Sequence, residues 1–243
     1  KQMVNPRLIK QSRIQTRLIK DLLFTGVLLF GVILLLVPLI MILAYIIKNG
    51  LSVINWNFLF SLPKPVGEVG GGVANAIVGS LMLVGIACVL SIPLGIGVGV
   101  ALAEFKKEKW LDPIRVAVEV LQSIPSIVLG IISYIWIVVP LGGFSAFSGG
   151  ISLSFMMLPV VIRSTEETVK LLPETLKEAA LSLGVPYYKT VLKVIIPSSF
   201  HGIITGILLG VARISGETAP LLFTAFGNPF MTLNMTKPVN ALP

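Results

Sequence analysis

Two stretches of this chain, 22–47 and 73–103, contain no charged residue. Each is longer than the roughly 20 residues of helix that cross a bilayer's hydrocarbon core. In hydrocarbon there is no water to satisfy backbone amides and carbonyls, and a helix pairs them within the segment. These runs therefore predict membrane-spanning helices. Charged residues make up 12% of the chain and hydrophobic ones 55%, against about 25% charged in an average soluble domain. An integral membrane protein follows, with lipid as its main surroundings. The net charge of +8 would suggest nucleic acid on a soluble protein. Here the basic residues sit in loops and report orientation, so no nucleic-acid partner is expected.

Residues 1–20 carry Lys1, Arg7, Lys10, Arg13, Arg17 and Lys20 with no acid and read as a basic arm. Residues 21–243 read as one transmembrane domain with spans at about 22–47, 73–103, 116–139, 151–172 and 200–223. The 48–72 connection, rich in Pro, Gly and Asn with Trp56, suits an interface. The stretch 141–150 reads as a short Gly/Ser loop, and a polar segment, 173–197, separates the last two spans. Orientation follows from lysine and arginine. The arm, the 104–115 turn (Lys106, Lys107, Lys109, Arg115) and the 163–197 stretch (Arg163, Lys170, Lys177, Lys189, Lys193) are rich in them. The alternate connections hold only Lys48 and Lys64, none in 140–150, and Lys237 after the last span. This pattern predicts a cytoplasmic N-terminus and five crossings.

The 173–197 segment is the most informative polar stretch. Pro173-Glu174 opens a helix. Leu176, Ala179, Ala180 and Leu183 fall on one helical face, with Lys177 and Glu178 off it. Gly184 and Pro186 end that helix, and Val191, Val194 and Ile195 recur at helical spacing before Pro197. The expected shape is two short amphipathic helices at an angle, projecting into the cytoplasm and suited to a groove on a soluble partner. The competing reading is an amphipathic stretch lying on the membrane surface.

Glu178-Ala179-Ala180, three residues, Gly184, nine residues, then Val194-Ile195-Ile196-Pro197 resembles the EAA loop of ABC-importer permeases, with Val194 and Ile196 in place of the family's Ile and Leu. The resemblance implies an all-α, multi-span helical bundle of the type I (MetI-like) permease class. It also implies that Glu178, Ala179, Ala180, Gly184 and Pro197 belong to coupling helices that dock on a cytoplasmic ATPase.

The last span contains Arg213 and Glu217. A charge at the centre of a span costs about 2.5–3.5 kcal/mol on insertion scales. The two residues are four apart, which on a continuous helix puts them on one face, able to pair, with Gly206 and Gly210. A buried ion pair between helices is one reading. An ion pathway is the other, because a guanidinium fits the oxygens of a phosphate-like anion. Arg163, at the end of the fourth apolar run in Arg163-Ser-Thr-Glu166-Glu167, is either part of that pathway or a basic residue reaching the membrane edge.

The string Arg213-Ile-Ser-Gly-Glu217-Thr218-Ala-Pro, with Arg163-Ser-Thr-Glu-Glu upstream, resembles the PstA-type permease family of phosphate-specific ABC importers. That resemblance covers nearly the whole chain. It implies phosphate import by alternating access through an inner (plasma) membrane of a prokaryote. Arg163, Arg213, Glu217 and Thr218 would lie along the translocation path. The implied partners are a cytoplasmic ABC ATPase dimer, a second homologous permease subunit and an external phosphate-binding protein. The family continues into a sixth span after the Thr236-Lys237-Pro238-Val239 region, so a sixth helix is expected beyond Pro243.

No Gly-x4-Gly-Lys-Ser/Thr loop is present, and Gly67-Glu-Val-Gly70-Gly71-Gly72 lacks the lysine, so ATP hydrolysis is expected in a separate chain. One cysteine, Cys88, and one histidine, His201, make neither a metal site nor a nucleophile–base set, and no cofactor is expected. Two alternatives remain open: a permease for another oxyanion such as sulfate or molybdate, and an ion-coupled secondary carrier using Arg213 and Glu217. The second leaves the EAA loop unexplained.

Overall fold

The computed structural model describes residues 6–65, 67–68, 70–106 and 108–243, with side chains from residue 17 onward. Lys1, the side chains of Arg7, Lys10 and Arg13 in the basic arm, and Lys107 lie outside the described residues. Most of the described residues are helical, and the only β-pairing among them is an isolated bridge between Phe226 and Val239. The chain forms two compact units, Lys1–Trp56 and Asn57–Pro243.

The first unit is one helix, α1 (Pro6–Gly50), which continues through Pro38. Its stretch Arg17–Gly50 is long and apolar enough to cross a membrane, and no residue of its most apolar window is buried. A helix apolar on all sides suits a lipid environment.

The second unit begins with α2 (Trp56–Phe60) and α3 (Ala74–Glu104). Next come α4 (Asp112–Ser123) and α5 (Ser126–Ser133), which passes through a π turn, Tyr134–Val138, into α6 (Val139–Leu141). The long α7 spans Ala146–Lys170. The polar segment forms α8 (Glu174–Ser182) and a second arm of α9 (Tyr187–Thr190), a π turn (Val191–Ile195) and α10 (Ile196–Ser198). Finally come α11 (Phe200–Ser215) and α12 (Ala219–Thr224).

Helix α7 is the centre of this unit. A Cβ built on Gly95 would lie 2.7 Å from Val161, and one on Gly99 2.6 Å from Thr165. Ser91 Oγ donates to the Ser154 carbonyl at 3.0 Å. The paired numbers rise together, so α3 and α7 run parallel. On its other side α7 receives α11 at Gly206, where a Cβ would meet Ser164 Oγ at 2.0 Å, and at Gly210, against Met157. Here the numbers run oppositely and the helices are antiparallel. Small residues at such seams let backbones approach closely, which matters because lipid supplies no hydrophobic force between helices.

Three spans differ from the expected ones. The third, read as continuous over 116–139, is broken between α4 and α5, and its two parts are bent by 108°. Pro125 lacks an N–H and disfavours helix at the residue before it, and Ile124 is extended at ψ 129°. The fifth, read as 200–223, breaks at Gly216–Thr218 before α12 resumes. The fourth starts earlier than residue 151. Ser145 caps α7, its hydroxyl accepting from the Ser148 amide while Ser148 Oγ accepts from the Ser145 amide, both at 3.1 Å. This capping box draws the tail of the expected Gly/Ser loop into helix.

The chain ends in an extended strap over 226–243. Asn75 Nδ2 donates to the carbonyls of Asn228 (2.8 Å) and Pro229 (3.2 Å). The amides of Ala146 and Phe147 donate to the carbonyls of Lys237 and Met235, both at 2.9 Å. The strap thus binds the starts of α3 and α7 together. The basic 104–115 and 163–197 stretches meet at the other end.

Gly99→Leu should prevent α3 from seating on α7 and abolish the monodisperse peak of detergent-solubilised protein. Gly97→Leu, on the open side of α3 with nothing within 4 Å of its Cβ, should leave that peak intact. Size-exclusion profiles of the two variants check this.

Candidate functional site

The polar segment is built as its turn residues require. Helix α8 ends at Ser182, and Gly184 adopts φ +76°, a conformation that strains any residue with a Cβ. The Gly184 amide donates to Leu181 O at 2.9 Å and the Val185 amide to Ala180 O at 3.3 Å, the paired bonds of a Schellman stop. Of the residues in α8 only Ala180 is buried. Of the expected apolar face, Leu176, Ala179 and Leu183 are exposed while Ala180 is buried; Glu178, Leu181, Gly184 and Pro197 are exposed as well. Lys177, expected off that face, is turned inward instead, where its ammonium donates to Glu104. Tyr187 Oη donates to the same carboxylate at 2.7 Å. Burial first, and then Glu104, hold the Tyr187 phenol above its ordinary range. The second arm is fixed differently, with Ile195 buried among Val100, Ala103 and Val169.

Arg163 is neither free nor simply reaching for the membrane edge. Its guanidinium meets Glu119 at 2.5 Å and Glu166 at 3.3 Å. Glu166 is only 1% exposed and also receives Lys170 at 2.5 Å and Arg115 at 3.9 Å. Arg115 further donates to the Leu102 carbonyl at 3.1 Å. One buried carboxylate therefore ties α4, α7 and the end of α3. The spacing Arg163, Glu166, Lys170 placed these three on one helical face. Nothing in the sequence indicated that Arg115 and Glu119 of α4 would join them.

Arg213 and Glu217 do not form the ion pair that a continuous helix would allow. Arg213 lies in the last turn of α11, while Glu217 falls in the break after it. Among the described residues neither makes an ion pair within 4.0 Å. Arg213 and Thr218 are exposed and Glu217 half-buried. Gly206 and Gly210 admit α7 rather than leaving room beside the arginine. The break thus brings Arg213, Glu217 and Thr218 together in sequence at an irregular point within an apolar segment. Non-helical backbone in such a setting is tolerated where it is buried in protein or lines a watery cavity.

His201 is exposed, Cys88 packs at the edge of the main apolar cluster, and no group of three potential metal ligands occurs among the described residues.

Residues 91–242 match the model of the family described as "Binding-protein-dependent transport system inner membrane component". The chain belongs to this family. It is therefore a transport component of the inner membrane rather than a catalytic enzyme. Among individual relatives of this permease family, the phosphate transport system permease protein PstA of Xylella fastidiosa (strain 9a5c) is 46% identical over 82% of this chain and 69% of its own length. The PstA of Yersinia pestis is 40% identical over 99% of this chain and 81% of its own. A probable ABC transporter permease, YqgI of Bacillus subtilis, is 39% identical over 91% of this chain and 75% of its own. A chain of the MetNI methionine ABC transporter, in inward-facing form, superposes with a TM-score of 0.51 at 20% identity, covering 59% of this chain and 68% of that one. The likeness supports the MetI-like permease fold.

Glu166→Ala would leave Arg115, Arg163 and Lys170 without their shared counter-charge, a loss of about 3 kcal/mol for a broken buried pair. The expected result is a clearly lower melting temperature in detergent. An unchanged melting temperature would show that the cluster contributes nothing to stability.

Proposed function

We propose that this chain is a translocation subunit of an ATP-driven importer of inorganic phosphate. The observation that carries the reading is the set of relatives named as phosphate transport permeases, with identity extending over most of the chain. The 173–197 loop lies in the cytoplasm and docks on an ATPase dimer through the open face of α8, where Glu178, Ala179 and Leu183 are exposed. The gathering of basic loops at that end supports this orientation. A second, similar membrane subunit completes the path, and an external binding protein delivers the anion.

In this reading Arg213 sits in the path at the break between α11 and α12. Without an ion-pair partner among the described residues, its guanidinium is available to oxyanion oxygens, which it fits with two parallel hydrogen bonds. Thr218 adds a hydroxyl. Glu217, in the same break, repels an anion that lingers, so the site holds phosphate without trapping it. Arg163 lies nearer the cytoplasm and is held by Glu119 and Glu166, so an arriving anion competes with these carboxylates for it. Alternating access follows from rigid-body movement of the helices around this point, driven through the loop.

The test is phosphate uptake by the complete transporter in proteoliposomes, with sulfate and molybdate as competitors. Arg213→Gln should reduce uptake about a hundredfold, the scale of losing a charge-assisted contact in a dry site, with assembly intact. Uptake at the normal rate would remove Arg213 from the path. Inhibition by excess sulfate or molybdate as effective as that by excess phosphate would overturn the phosphate assignment.

A further inference from the structure

We propose that Glu104 is the clamp through which the 173–197 loop takes hold of α3, a positioning residue for energy coupling. The proposal rests on the reading of that loop as the ATPase-docking element.

Glu104 is the last residue of α3. An acid there faces the negative end of the helix dipole, an unfavourable position, so its placement calls for a compensating partner. Two are present, one from each arm of the loop. Lys177 of α8 and Tyr187 of α9 donate to the same oxygen, Oε2. The carboxylate is 10% exposed, which strengthens charge-assisted bonds relative to the same pair in water. The Lys177 ammonium also stands 5.0 Å over the Tyr187 ring, and Phe105 packs against that ring at 6.3 Å. Two donors, one from each arm of the loop, thus converge on one carboxylate of a sequence-distant helix.

What surrounds the clamp shows why it matters. The second arm is attached to α3 and α7 by apolar contacts at Ile195. Helix α8 buries only Ala180. A groove of about 370 Å³ lies between it and the end of α3, with Ala103, Phe105, Leu176 and Leu181 in its lining. The Glu104 carboxylate bridges this groove. With the clamp closed, movement of α8 pulls the end of α3. With it open, α8 yields into the groove and the movement is lost before it reaches the membrane.

The experiment uses the complete transporter in proteoliposomes and reads phosphate imported per ATP hydrolysed. Glu104→Gln should lower this ratio by roughly fivefold or more, the scale of one lost charge-assisted bond, with the ATPase still co-purifying. Tyr187→Phe should lower it less. The exchange Glu104→Lys with Lys177→Glu should restore much of the ratio, which a general loss of folding would not permit. An unchanged ratio in Glu104→Gln overturns the clamp. Leu183→Asp, on the outer face of α8, separates the two levels of the argument. If it abolishes ATPase assembly while Glu104→Gln leaves the ratio unchanged, the clamp alone is wrong. If Leu183→Asp assembles and couples normally, the loop is not the docking element and the clamp falls with it.

Discussion

In a bilayer, helices gain nothing by hiding apolar surface from one another, because the surrounding lipid is equally apolar. What holds this fold is close approach, and close approach needs missing side chains. Helix α7 receives α3 where Gly95 and Gly99 stand and α11 where Gly206 and Gly210 stand. Each glycine faces a side chain that would occupy the position of its absent Cβ. The large residues of α3, such as Leu81, Val89 and Leu94, point the other way and are exposed. At the seam with α7 this helix thus presents glycines, with Leu83 and Leu102 buried elsewhere along it, and a bulky face outward. That division sets which side of α3 is free and which carries the seam.

The same central helix carries the charges. Its apolar length ends at Arg163, and the next two turns hold a carboxylate, Glu166, shielded from solvent and shared by three cations. Removing two charges from water is expensive, and only good geometry with several partners offsets it. The network therefore binds the end of α7 to α4 through Arg115 and Glu119 with directional contacts. The polar loop follows immediately, so the region proposed to meet a soluble partner grows directly out of this cross-linked end of α7.

Much of this was legible in the sequence, and the parts that were not share a physical cause. Uncharged length announced the helices around 22–47 and 73–103. The glycine after Leu183 announced a helix stop, and the structure gives it the φ that only glycine adopts easily. The helix start at Ser145 is hidden because serines read as loop residues, whereas Ser145 and Ser148 cap each other. The breaks at Pro125 and at Gly216–Thr218 were hidden because apolar runs on either side are continuous in composition. Proline in a membrane helix does not always break it, as Pro38 and Pro159 show inside α1 and α7. The Arg213–Glu217 pairing failed for the same reason, since it assumed a helix that stops between them. Contacts across long sequence distance, such as Glu104 with Lys177, leave no local pattern to read.

The strap over 226–243 fastens the beginnings of α3 and α7 by backbone hydrogen bonds, with Asn75 gripping two carbonyls at once. Fastened at one end, a long helix acts as a lever. The 31 residues of α3 extend about 46 Å at 1.5 Å per residue, so each degree of tilt about the fastened end displaces the far end by about 0.8 Å. A change too small to disturb the packing near the strap becomes, at Glu104, a displacement comparable to the length of a bond.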